Sequence, residues 1–114
     1  MTESVYKLEI FLPEDHFDPI CQALWSVDAG HIGQYDRCLS WSRVNSCWRP
    51  LEGTDPYLGR PGQLCRAEEI KIEVCCPAAR LDKTLAAVKA AHPYEEPVIN
   101  CCPYTKRAFE TQKS

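Results

Sequence analysis

A chain of 114 residues, 45% hydrophobic and 25% charged, has the length of one ordinary domain and enough apolar content for a real core, which argues against disorder and against a second core. The formal net charge of −3, from 13 basic and 16 acidic residues mixed along the sequence, leaves no electrostatic footprint for nucleic acid or an anionic membrane. The opening MTESVYKLEIFLPED interleaves acids with its apolar residues, so neither a signal peptide nor a membrane span is expected, and the expected location is the cytoplasm.

In chain order, VYKLEIFL at 5–12 alternates Tyr6, Leu8, Ile10 and Leu12 against Val5, Lys7, Glu9 and Phe11, the period of a strand ended by Pro13. Phe17, Ile20, Leu24 and Val27 then follow one helical face, with Asp15 or Asp18 expected as N-cap, Pro19 near the first turn and Gly30 closing the helix. The run from Tyr35 to Pro50 is rich in strand formers and lacks glycine, so it is read as one straight or bent strand. Residues 52–64, EGTDPYLGRPGQL, hold three glycines and two prolines and are expected to form a long loop of a kind that is seldom idle. Ile70, Ile72, Val74 and Cys76 alternate as a third strand ended by Pro77. A helix over about 79–91 presents Leu81, Leu85 and Val88, and a short edge strand is expected over 98–102 between Pro97 and Pro103. The polar tail at about 109–114 is expected to fray.

The order β-α-β-β-α-β predicts an α+β, ferredoxin-like sandwich with both helices on one face of an antiparallel sheet, the whole of 1–114 forming a single domain. Within it, YKLEIFLPEDH, GHIGQYDRCLSW, RPLEGTDPYLGRPGQL and AAHPYEEPVIN together resemble the stand-alone YqfO-type proteins, which are similar to the domain inserted in the Nif-three-like dinuclear-metal proteins. The resemblance spans roughly residues 5–100. It implies a PII- or CutA-like version of the fold that assembles with copies of itself, commonly as trimers, and it implies no defined reaction. The family's metal ligands lie in domains this chain does not match, so none is carried over, and the pairs Cys75-Cys76 and Cys101-Cys102 depart from the family pattern.

Several motifs carry chemistry. In AAHPYEEP, His92 with Glu95 or Glu96 offers an imidazole and carboxylates suited to proton transfer or metal binding; the simpler reading makes His92 and Pro93 a helix end and the rest a junction or subunit contact. In GHIGQYD, Gly30 and Gly33 permit left-handed turns that expose backbone amides to an anion; the motif is not the dinucleotide fingerprint, a KH-type GXXG loop would join two helices on a basic surface, and a helix-exit turn is the favoured reading over both. The eight cysteines form no C-x-x-C, are expected as thiols, and in the ferredoxin-like strand order have the first strand between their two adjacent pairs. Trp41 is expected at a subunit contact, and Arg49, Glu52, Asp55, Tyr57 and Arg60 decorate the long loop.

The binding candidates are therefore Gly30, His31, Gly33, Tyr35, Arg49, His92, Tyr94, Glu95 and Glu96, with no catalytic residue assigned. The favoured function is a homo-oligomeric PII/CutA-like binding or regulatory module without cofactor, partnered by a small ligand or a protein and by neither nucleic acid nor membrane. A divalent-metal, copper-type binding protein using the thiols, His31 and His92 is the alternative; a hydrolase-like enzyme built on His92 and Glu95 or Glu96 is the third.

Overall fold

A computed structural model describes residues 4–105. Strand β1 (Ser4–Leu12) leads through a 3₁₀ turn (Glu14–His16) into helix α1 (Phe17–Ser26); β2 (Ser40–Trp48) and β3 (Cys65–Pro77) follow, then a second 3₁₀ turn (Ala78–Arg80), α2 (Leu81–Ala91) and β4 (Ile99–Thr105). The sheet order is β2-β3-β1-β4 with every pair antiparallel, the ferredoxin-like arrangement expected. The tail expected to fray lies outside the described residues.

Alternation decides which residues reach the core. Leu8, Ile10 and Leu12 of β1 stand opposite Val74, Ile72 and Ile70 of β3, and all six are buried against Ile20 and Leu24 of α1 and Val88 of α2. At about 25 cal/mol per Å² of apolar surface removed from water, this layer is the main stabilising term. Lys7, Glu9 and Phe11 project from the other face, where Lys7 Nζ lies 2.8 Å from Glu73 and 3.7 Å from Glu9.

Several expectations need correction. Neither Asp15 nor Asp18 caps α1: the chain enters through the 3₁₀ turn, His16 takes the cap position, and no side-chain cap bond forms. Gly30 does not close that helix, because Asp28 already takes the left-handed conformation (φ 60°), with Ala29 N–H donating to the Leu24 carbonyl. In α2 the deeply buried residue beside Val88 is Thr84, not Leu85, and its hydroxyl is satisfied by the Arg80 carbonyl at 2.8 Å. Strand β2 begins at Ser40 because 30–39 is held as a turn by Cys38 N–H on Gly30 O and by the Ile32–Tyr35 bridge. Strand β3 starts five residues before Ile70, since β2 gives it a partner from Cys65 onward. Strand β4 runs through Pro103, which an edge strand tolerates because it needs bonds on one side only.

The pairing of β1 ends at Leu12 with Ile70, so residues 65–69 of β3 pair with β2 alone, and this two-stranded arm stands out from the sheet.

Gly30 is a second fixed point. Its N–H donates to the Cys75 carbonyl at 2.8 Å, its φ is +81°, and a Cβ there would run into the Cys38 backbone. Gly33 is also left-handed (φ +58°) but faces open space. Gly33→Ala should therefore cost about 1 to 2 kcal/mol and Gly30→Ala about 3 kcal/mol, read by urea unfolding. Equal losses would refute a role for the close approach to Cys38.

Candidate functional site

At the root of the β2–β3 arm, a cavity of about 500 Å³ opens on the sheet face away from the helices. Phe11 comes from the penultimate position of β1, Ser46 and Trp48 from β2, Glu69 from β3, and the segment after α2 supplies Tyr94, Glu95, Glu96 and Val98. Residues 49–64 fold back as a strap, bringing Arg49, Leu51 and Tyr57 to the rim. The volume lies in the range of small-molecule sites.

The segment after α2 is placed by His92 and Tyr94. Helix α2 ends at Ala91, because His92, preceding Pro93, is extended (ψ 136°). His92 is buried: its Nε2 donates to the Phe11 carbonyl at 2.7 Å, while its Nδ1 accepts the Tyr94 N–H at 3.2 Å. That pattern requires the neutral ring protonated at Nε2. Burial also pushes its pKa below the ordinary imidazole value, against a smaller upward pull from the Phe11 carbonyl. Tyr94 then donates its hydroxyl to Glu69 Oε2 at 2.6 Å. Burial first, and Glu69 second, raise the Tyr94 phenol far above its usual range, so it remains a donor. Its ring lies 5.8 Å from Trp48 and 6.1 Å from Tyr57, centroid to centroid, tilted by 50° and 46°.

The strap is pinned at both sides of the cavity. Tyr57 donates its hydroxyl to Asp15 at 3.0 Å, and Asp55 N–H donates to Glu95 Oε1 at 3.1 Å. Within the strap, Gly62 N–H meets the Pro50 carbonyl at 2.7 Å.

The structure divides the sequence candidates into two groups. Arg49, Tyr94, Glu95 and Glu96 line the cavity, with His92 directly behind, its ring centroid 4.8 Å from that of Tyr94. Gly30, His31, Gly33 and Tyr35 lie elsewhere: Gly30 is fastened to Cys75, six residues along β3 from Glu69, roughly 20 Å at strand spacing. His31 there bonds Asp28 through Nδ1 (3.0 Å) and the Gly33 carbonyl through Nε2 (3.1 Å), and Asp28 raises its pKa. Sequence reading missed Glu69, Phe11 and Trp48 as a set. The acid–apolar alternation of 68–74 signals a strand face, but only the returning 92–98 segment buries Glu69.

Among the described residues no group of three His, Cys, Asp or Glu side chains could hold an ion. Both histidines of the copper-type reading have each ring nitrogen within hydrogen-bond distance of a protein atom. Cys75 and Cys102 stand on opposite sides of Lys7, as Cys76 and Cys101 stand across β1 from each other, and all eight thiols are free. The ring of His92 also has no lone pair free to act as a base.

No family model matches the chain. It is 42% identical over 102 residues to the GTP cyclohydrolase 1 type 2 homolog of Halalkalibacterium halodurans, covering 90% of this chain and 27% of that protein. The crystal structure of a Bacillus cereus protein related to NIF3 superposes with a TM-score of 0.80 at 36% identity, over 91% of this chain and 26% of that one. The periplasmic divalent cation tolerance protein CutA of Archaeoglobus fulgidus superposes at 0.66 with 18% identity, over 93% and 88%, which shows a shared fold alone. The chain thus spans about a quarter of the length of the curated relatives it matches. No described helix is long and apolar enough to cross a membrane.

Tyr94→Phe removes the one hydrogen bond that the Glu69 carboxylate receives among the described residues and is expected to cost about 1 to 3 kcal/mol in urea unfolding; a loss under 0.5 kcal/mol would show the bond to be dispensable. His92 generates a pH prediction. Its folded pKa is depressed, so the unfolded chain binds a proton first as pH falls through about 6.5. Its contribution to stability is complete above that value and declines below it. Between pH 7.5 and 5.5 wild type should therefore lose more stability than His92→Gln; parallel losses would show that His92 is not the titrating group.

Proposed function

We propose that this chain, a relative over nearly its whole length of one segment of the NIF3-related proteins, is a PII/CutA-like binding and regulatory module that works as a homotrimer and catalyses no reaction of its own. The observation that carries this reading is the cavity at the arm's root, a preformed, largely apolar hollow whose rim is a pinned strap. A ligand seated there touches Tyr57 and Glu95, the two side chains that fasten the strap, so occupancy and strap position are coupled through the same bonds.

Assembly has its own physical support. Among the described residues strands β2 and β4 are the edges of the sheet, and an open edge invites pairing with another chain. On β2, Trp41 stays 57% exposed although its ring packs on Phe17 at 4.9 Å, leaving a large aromatic surface at the edge. Against catalysis by His92 stands the engagement of both its ring nitrogens, which leaves it no lone pair for work with Glu95 or Glu96.

Native mass spectrometry is expected to give a trimer, and Trp41→Ala should shift it toward monomer at micromolar concentration with the fold retained by circular dichroism. A wild-type monomer at the same concentration would overturn the assembly.

A further inference from the structure

We propose that the cavity takes an organic cation, a substituted ammonium group on an apolar body, with Glu69 as counter-ion and the rings of Trp48, Tyr57 and Tyr94 as its walls; this rests on the cavity being a ligand site. Glu69 is only 4% exposed and lines the cavity. Among the described residues its carboxyl group receives one hydrogen bond, from Tyr94, and no Lys, Arg or His lies within ion-pair distance. A carboxylate buried without a cation is costly, and a cationic ligand removes that cost. The rings of Trp48 and Tyr57 are each tilted against Tyr94 instead of stacked on it, an arrangement that lets several π faces surround one charge.

The rim has the same preference. Around the cavity, the exposed Glu95 and Glu96 join the buried Glu69, three carboxylates against one guanidinium, that of Arg49. A phosphate would meet that excess of negative charge, and the lining contains neither glycine nor a helix N-terminus to cradle it. A bare metal ion would find no group of three ligands among the described residues. The remaining class with the right charge and an affinity for aromatic faces is the organic cation.

Calorimetric titration of the full chain with benzyltrimethylammonium and with choline, using neutral 3,3-dimethylbutan-1-ol as the uncharged counterpart of choline, tests the assignment. Saturable binding of both cations is expected, with the alcohol at least tenfold weaker than choline. Glu69→Gln should weaken cation binding at least tenfold and leave the alcohol unchanged. Because Glu69 is buried, Glu95→Gln/Glu96→Gln at the exposed rim provides a second variant, expected to weaken the cations about threefold. Alcohol binding as tight as choline would overturn the cationic chemistry while leaving a ligand site. No saturable binding of any probe by a chain that assembles as a trimer would overturn the ligand-site reading itself, and with it this proposal.

Discussion

The hydrogen bond from Tyr94 to the buried Glu69 carboxyl holds the last segment of the chain against the arm, and the cavity depends on it. Strand β1 stops at Leu12, where β3 still has five residues to run, so its end would be open on that side. His92 and Tyr94 fill that position: one caps the Phe11 carbonyl, the other reaches Glu69, and the pair is tied by the Tyr94 N–H on His92 Nδ1. Each bond satisfies a polar group that burial would otherwise leave unpaired, which makes the arrangement cooperative. Pro93 and Pro97 bracket the segment, limiting the backbone conformations it can take.

The contacts around this buried pair are of a different kind. Arg43 meets Glu14 through two bonds of 2.7 Å, but both side chains are more than half exposed, and solvent screening leaves such pairs little weight in stability. The Tyr57–Asp15 and Asp55–Glu95 bonds of the strap are likewise at the surface. The core and the His92–Tyr94–Glu69 chain are therefore the rigid part, while the strap is fastened by bonds that water or a ligand can replace. A rigid wall under a replaceable rim is the organisation a binding site needs.

The opposite end of the sheet is held in a different way. There the turn after α1 is closed by backbone bonds, Gly30 to Cys75 and Cys38 to Gly30, with His31 engaged at the surface by Asp28. The glycine turn that resembles an anion cradle in sequence is thus a joint between α1 and β3. Arg80, 3.8 Å from Asp28 and bonding its carbonyl at 3.3 Å, ties the same turn to the start of α2.

Much of this was legible in the residues. The alternation of Leu8, Ile10 and Leu12 and of Ile70, Ile72 and Val74, the helical spacing of Ile20 and Leu24, and Pro97 before the last strand determined the elements and their order, because local periodicity says which face is apolar whatever it packs on. Where strands stop was less legible: Cys65–Glu69 belongs to β3 only because β2 pairs with it, and pairing is a non-local fact. The cavity lies furthest from the sequence. Phe11, Trp48, Glu69 and Tyr94 come from four segments up to 83 positions apart, and each alone reads as ordinary strand or junction chemistry. The sequence by itself determined a ferredoxin-like sandwich and an aromatic, acidic junction after the second helix. Only the tertiary structure decided that the junction folds back onto the arm, since burial of Glu69 and engagement of both His92 nitrogens arise from contacts that no local spacing encodes.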